Sequence, residues 1–142
     1  MKNFVLSSIL LGMAPLVFAD VSINEPWARA TVPSQPVGAV YMKVSSSDAV
    51  RLVAIQTDAA KDVQVHTMHH QDGVMKMREH GELAISAGQT VELAPGGLHL
   101  MLLGLKKPLA AGENLTVKLT FENAKKVRNT SVVSVPVRPL GK

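Results

Sequence analysis

Val63-Gln64-Val65-His66-Thr67-Met68-His69-His70-Gln71-Asp72-Gly73-Val74-Met75-Lys76-Met77-Arg78-Glu79 decides how this chain is read. Two alternating runs flank Gln71-Asp72-Gly73, and Asp-Gly between such runs signals a β-hairpin. With Asp72-Gly73 as a two-residue turn, Gln71 faces Val74, His70 faces Met75 and Met68 faces Met77. The strand period of two then puts His66, Met68, His70, Met75 and Met77 on one face. His66 and Met77 become diagonal neighbours, ~7–8 Å apart at Cα. A three-residue loop would instead turn Met77 away from His66.

Ala94-Pro95-Gly96-Gly97 is a hard turn, and an apolar run from Leu98 to Leu103 follows it. His99 and Met101, two apart in that run, point to the same side with Cα atoms ~6.5 Å apart. A histidine in such a run needs a polar partner if it is buried. All five histidines and four of the seven methionines lie between Val63 and Met101. The pattern is His66, ten residues, Met77, twenty-one residues, His99, one residue, Met101. We read these four side chains as a metal site. Thioethers are soft ligands and imidazole is intermediate, so together they favour Cu(I). Zinc would prefer more histidine, carboxylate or thiolate, and calcium and magnesium want oxygen. Methionine has no proton to lose, whereas the histidines titrate nearer neutrality, so affinity should weaken as pH falls through their range. His69, His70 and His80 are extra imidazoles in or near the hairpin. His70 is a candidate auxiliary ligand.

The rest of the chain reads as short strands separated by turn residues. Val21 to Asn24 is brief, and Trp27 to Thr31 follows Pro26. Val32-Pro33-Ser34-Gln35-Pro36 cannot continue a strand, because proline removes ladder donors. Gly38 to Ser45, Val50 to Thr57, Thr90 to Leu93, Asn114 to Phe121 and Thr130 to Arg138 are further strands. No stretch has a convincing helical period. Ala59 to Val63 or Asn123 to Val127 could hold a helical turn at most. This rhythm predicts an all-β fold, an antiparallel sandwich or barrel in a single domain. Trp27 and Tyr41, the single members of their types, are expected to be scaffold residues. Arg29, on the same strand face as Trp27, has two open readings: an internal pair or a partner contact.

Met1-Lys2-Asn3, the apolar run Phe4 to Val17 and Val17-Phe18-Ala19 have the layout of a secretory signal peptide. Residues 1–19 are expected to be removed by cleavage after Ala19, leaving residues 20–142 as the exported domain. The run falls short of the ~20 residues a membrane span needs, and Gly12 and Pro15 interrupt it. The formal charge of +4 is scattered and no aromatic residues interleave with the basic doublets, so nucleic acid is not an expected partner. The chain has no cysteine. That excludes thiolate chemistry and a blue-copper centre, which needs a cysteine sulfur. No pairing of acid and base residues supports catalysis, so an enzyme is not expected.

From residue 20 onward the chain resembles the periplasmic copper chaperones of bacteria, the PCu(A)C or CuA-site chaperone family. The matching stretches are Pro26-Trp27-Ala28-Arg29-Ala30, Gly38-Ala39-Val40-Tyr41 and Asp72-Gly73-Val74-Met75-Lys76-Met77-Arg78. They continue at Leu93-Ala94-Pro95-Gly96-Gly97-Leu98-His99-Leu100-Met101-Leu102, Leu105-Lys106-Lys107-Pro108-Leu109 and Leu119-Thr120-Phe121. The family's ligand motif fits without a gap at His66, Met77, His99 and Met101. The resemblance implies a cupredoxin-like β-sandwich holding one Cu(I) per chain. It also implies a periplasmic protein that delivers copper toward the CuA centre of cytochrome oxidase, often beside a thiol-bearing copper chaperone of another family. Some members carry a His- and Met-rich C-terminal tail. Val137-Arg138-Pro139-Leu140-Gly141-Lys142 lacks those residues, so a tail-borne site is not expected. Two rival readings stay open: a Zn(II) or Cu(II) carrier using His66, His69, His70 and His99, and a metal-free interaction sandwich with the methionines in its core.

Overall fold

The computed structural model describes residues 20–141. The expected signal peptide lies outside the described residues. Ten strands form the fold: β1 (Val21–Arg29), β2 (Val37–Ser46), β3 (Val50–Thr57), β4 (Ala60–Gln71), β5 (Val74–Glu79), β6 (Leu83–Ile85), β7 (Thr90–Leu93), β8 (His99–Leu105), β9 (Asn114–Asn123) and β10 (Arg128–Arg138). The described residues contain no helix, so none that is long and apolar enough to cross a membrane.

The strands hydrogen-bond in the order β5-β4-β8-β2-β1-β10-β9-β3-β6, with β7 also paired to β2. The path doubles back, so that its two halves share one core. The inward positions of β9 show why: Leu115, Val117, Leu119 and Phe121 alternate with exposed or half-buried polar residues and are buried. They meet Val40, Met42 and Val44 of β2, Val63 and Val65 of β4, and Leu100 and Leu102 of β8 in a single cluster. Phe121 is the largest of the fully buried side chains, and truncating it to alanine would cost ~3–5 kcal/mol. The all-β sandwich expected from the sequence is the observed fold, with one departure. β1 and β10 run parallel, through Ala28↔Val137 and Arg29↔Arg138, where the expectation was antiparallel throughout.

Local differences have local causes. Val21–Asn24 and Trp27–Thr31, expected as two segments, are joined as far as Arg29 in one strand with a register shift between Asn24 and Trp27. Glu25 sits there at φ 51°, and Pro26 is tolerated because a bulge needs no ladder donor. Ala60 opens β4 rather than a helical turn. Asn123 closes an Asx-type turn, its Oδ1 accepting from the amides of Lys125 (2.9 Å) and Val127 (3.0 Å). Leu83–Ile85, a strand that the sequence reading omitted, pairs with β3 through its buried ends.

Candidate metal centre

The hairpin takes the two-residue turn. Asp72 and Gly73 both have positive φ, 52° and 76°, the signature of a type I′ turn. The pairs are Gln71↔Val74, His70↔Met75, Met68↔Met77 and His66↔Glu79, which is the register that shares the donors on one face. On its other side β4 pairs with β8, through His66↔His99 and Gln64↔Met101. Three neighbouring strands therefore carry the four predicted residues.

These residues occupy the outer face of their sheet. Leu100 and Leu102 belong to the core cluster; His99 and Met101, alternating with them, do not. Both are nevertheless buried, at 4% and 7% exposure. Aromatic side chains pack beside His99. Trp27 lies opposite Tyr41 in the β1–β2 ladder with ring centroids 4.6 Å apart, and Tyr41 lies 6.3 Å from His99. Arg29 sits 5.7 Å from the Tyr41 ring and 5.9 Å from that of Trp27, and Arg138 lies 4.7 Å from Trp27. Those stacks are an internal pairing for Arg29. A cleft of about 190 Å³, lined by Arg29, Gln35, Val37, Tyr41 and Met101 among others, opens beside the Met101 side chain.

The imidazoles of His66 and His99 are brought together, with centroids 6.0 Å apart. Each is held through one nitrogen. His99 donates from Nδ1 to the carbonyl oxygen of Gly97 at 3.0 Å, which leaves Nε2 as the lone-pair atom. His66 donates from Nε2 to Gln64 Oε1 at 3.0 Å, and the Gln64 amide donates in turn to Asp62 Oδ2 at 3.0 Å. The opposite nitrogen, His66 Nδ1, is buried and has no hydrogen-bond partner. A buried imidazole nitrogen without a partner is costly unless something else binds it. Orientation through the far ring nitrogen is the usual arrangement for a metal-binding histidine. Burial, and then the neighbouring His99 ring, hold the His66 pKa below the ordinary histidine value of 6.5; Glu79 opposite pulls the other way. A depressed pKa favours the neutral ring, the form that binds metal.

Met101 shares the His99 face one strand period along β8. Met77 is placed differently. It stands on the edge strand β5, 46% exposed, directly opposite Met68 and diagonal to His66. Along the strands Met77 and Met101 lie on opposite sides of the imidazole pair. By register His66, His99 and Met101 occupy adjacent positions on one face, and Met77 stands on the exposed edge strand, diagonal to His66. Alternation puts His69 on the face opposite His66 and His70, facing Lys76 in the register. Among the described residues, no group of three or more His, Cys, Asp or Glu side chains could hold a metal ion. The Gln64 and Gly97 acceptors were absent from the sequence reading. Gln64, two residues from His66 on one strand, could have been found by strand period.

Comparison with known proteins agrees with this architecture. The family model described as "Putative lipoprotein LpqE-like" matches residues 21–137. The chain is 34% identical over 119 residues to "Putative lipoprotein Lxx21020" of Leifsonia xyli subsp. xyli, covering 83% of this chain and 69% of that protein. DR1885 of Deinococcus radiodurans, whose Cu(I) form was solved in solution, is 29% identical with a TM-score of 0.62, over 84% of this chain and 80% of that one. The copper-bound PCuAC domain of PmoF2 shares the fold at a TM-score of 0.67 and 22% identity, over 87% of this chain and 99% of that domain. The family match and the Leifsonia relative together make this chain a member of the LpqE-like family, with the cupredoxin-like fold of PCuAC-type domains.

Proposed function

We propose that the protein is an exported copper chaperone, not an enzyme, that carries one Cu(I) between His66, Met77, His99 and Met101. The observation that carries this reading is the orphaned Nδ1 of His66. It is buried without a partner, its ring lies 6.0 Å from that of His99, and Met101 follows at the next position of β8 on the same outer face. Two neutral imidazoles and two thioethers suit a soft monovalent cation and suit zinc poorly. The Cu(I) form of DR1885 supports the same choice of metal.

The cargo would move by ligand exchange. Met77 is the exposed donor on the edge strand, so it is the ligand that leaves when a partner's thiolate or imidazole approaches. His99, buried beside Tyr41, and the buried Met101 would hold the ion until the partner's ligands replace them. The family resemblance makes the CuA subunit of cytochrome oxidase and a thiol-bearing copper chaperone the expected partners. Export to the periplasm, with cleavage after Ala19, completes the reading. Competition against a Cu(I) chelator tests it. Wild type should hold at least one tight equivalent. His99→Ala/Met101→Ala should weaken binding well beyond the ~10–100-fold that loss of a supporting hydrogen bond costs. Undiminished affinity in that variant would refute the ligand assignment.

A further inference from the structure

The hairpin carries soft donors that the four-residue set does not use. His70 and Met75 lie opposite each other at its tip, with Nδ1 of the ring 3.1 Å from the Met75 sulfur. Both side chains are exposed. In the next row inward Met68 faces Met77, and strand alternation puts all four on the face that carries His66. Lys76 and Arg78 alternate to the other face of β5, where Arg78 donates to Gln71 Oε1 at 2.8 Å. The two basic residues of β5 therefore lie off the donor face of the tip. The type I′ turn sets the two strands in register and so fixes the His70–Met75 pair.

We propose that the hairpin tip is a second soft-metal site, taking a monovalent cation of the Cu(I) class through His70 Nδ1 and the sulfurs of Met75 and Met68. An imidazole nitrogen and a thioether already in contact need only a small separation to admit an ion between them. In the metal-free protein the Nδ1 hydrogen points at the sulfur. On binding, the metal takes that place and the ring proton resides on Nε2. No electron is transferred and no bond to carbon changes. Thioether donors select against zinc, calcium and magnesium. Met77 stands between the two sets, opposite Met68 and diagonal to His66, so it can serve either one. An ion captured at the solvent edge then reaches the buried imidazoles by exchanging one sulfur at a time. The tip site uses none of His66, His99 or Met101, so it stands or falls apart from the inner set.

Silver(I), a redox-inert stand-in, tests this by NMR titration of methionine methyl and histidine ring signals. Wild type is expected to take two equivalents, the second moving the signals of His70, Met68 and Met75. His99→Ala/Met101→Ala should keep one equivalent with those same shifts. His70→Ala/Met75→Ala alters only exposed side chains, so it should fold normally and lose one equivalent. Saturation of wild type at one equivalent with His70 and Met75 unmoved would overturn the proposal. So would two equivalents retained by His70→Ala/Met75→Ala. Failure of the inner set alone would appear instead as loss of the His66 and His99 shifts with the tip shifts intact.

Discussion

His66 and His99 stand directly opposite each other across the β4–β8 ladder, with ring centroids 6.0 Å apart, and are anchored through opposite nitrogens. His66 is tied down through Nε2 by Gln64, His99 through Nδ1 by the Gly97 carbonyl. The untied nitrogens are then His66 Nδ1 and His99 Nε2. A backbone acceptor cannot be mutated away, but Gln64 can.

Gln64→Leu removes the acceptor that fixes the His66 tautomer while preserving side-chain bulk. Gln64 is half-buried on the outer face and packs no part of the core, so thermal stability should change little. Cu(I) affinity should fall by ~10-fold or more, in the range typical of lost orienting partners. Unchanged affinity would show that the Gln64 contact does not prepare the ring.

The depressed pKa of His66 has a defined sign. The unfolded ring takes up its proton near 6.5, while the folded ring resists until a lower pH. Its contribution to the stability of the metal-free protein is therefore complete above 6.5 and declines as pH falls from there toward the folded value. Proton competition with metal at this ring is shifted in the same direction, toward lower pH. NMR titration of the His66 ring should give a midpoint below 6.5, and a midpoint at or above that value contradicts the burial argument.

Gly73→Val tests the hairpin separately from the core. A side chain there meets nothing within 4 Å, so the cost is conformational, from φ +76°. Residues of β5 are exposed throughout, so the melting temperature should drop only slightly. Metal affinity should fall with the loss of Met77 placement, while His66–His99 contacts survive. A large loss of global stability would mean that the hairpin supports the core more than its exposure indicates.

Glu122 tests the scaffold. It is buried at 6% exposure and accepts from Arg128 Nε and Arg51 Nη2, both at 2.9 Å. The hydrogen bond from Arg128, reinforced by Arg51 and Lys126 against the cost of burial, holds its carboxyl below the usual value of 4.5. That stabilisation is present above 4.5 and is lost as pH falls through the depressed folded value. Glu122→Gln should lower the melting temperature at neutral pH, with the difference from wild type shrinking below pH 4.5. A difference that does not shrink there would contradict the ionic account.

The hairpin was legible because its determinants are local: Asp72-Gly73 sets the turn, and period-two alternation sets the shared face. His99 and Met101 were legible for the same reason, being two apart on one strand. The residues that complete the environment were not. Trp27 reaches His99 only through Tyr41 on an intervening strand, a relation fixed by sheet order rather than by spacing. The parallel β1–β10 contact joins Ala28 to Val137 across nearly the whole described chain, and nothing in either segment specifies direction. Leu83–Ile85 is too short for alternation to show. The spacing of His66 and Met77 was read correctly as sharing a face, but exposure at the edge strand, which sets Met77 apart, is a property of sheet order alone.

X-ray absorption at the copper edge of the Cu(I)-loaded protein, at one equivalent, tests the central claim most directly. A shell combining imidazole nitrogen with thioether sulfur is predicted, with the sulfur contribution reduced in Met101→Ala and the nitrogen contribution reduced in His99→Ala. Copper bound by nitrogen and oxygen alone, with a shell indifferent to both substitutions, would contradict the account.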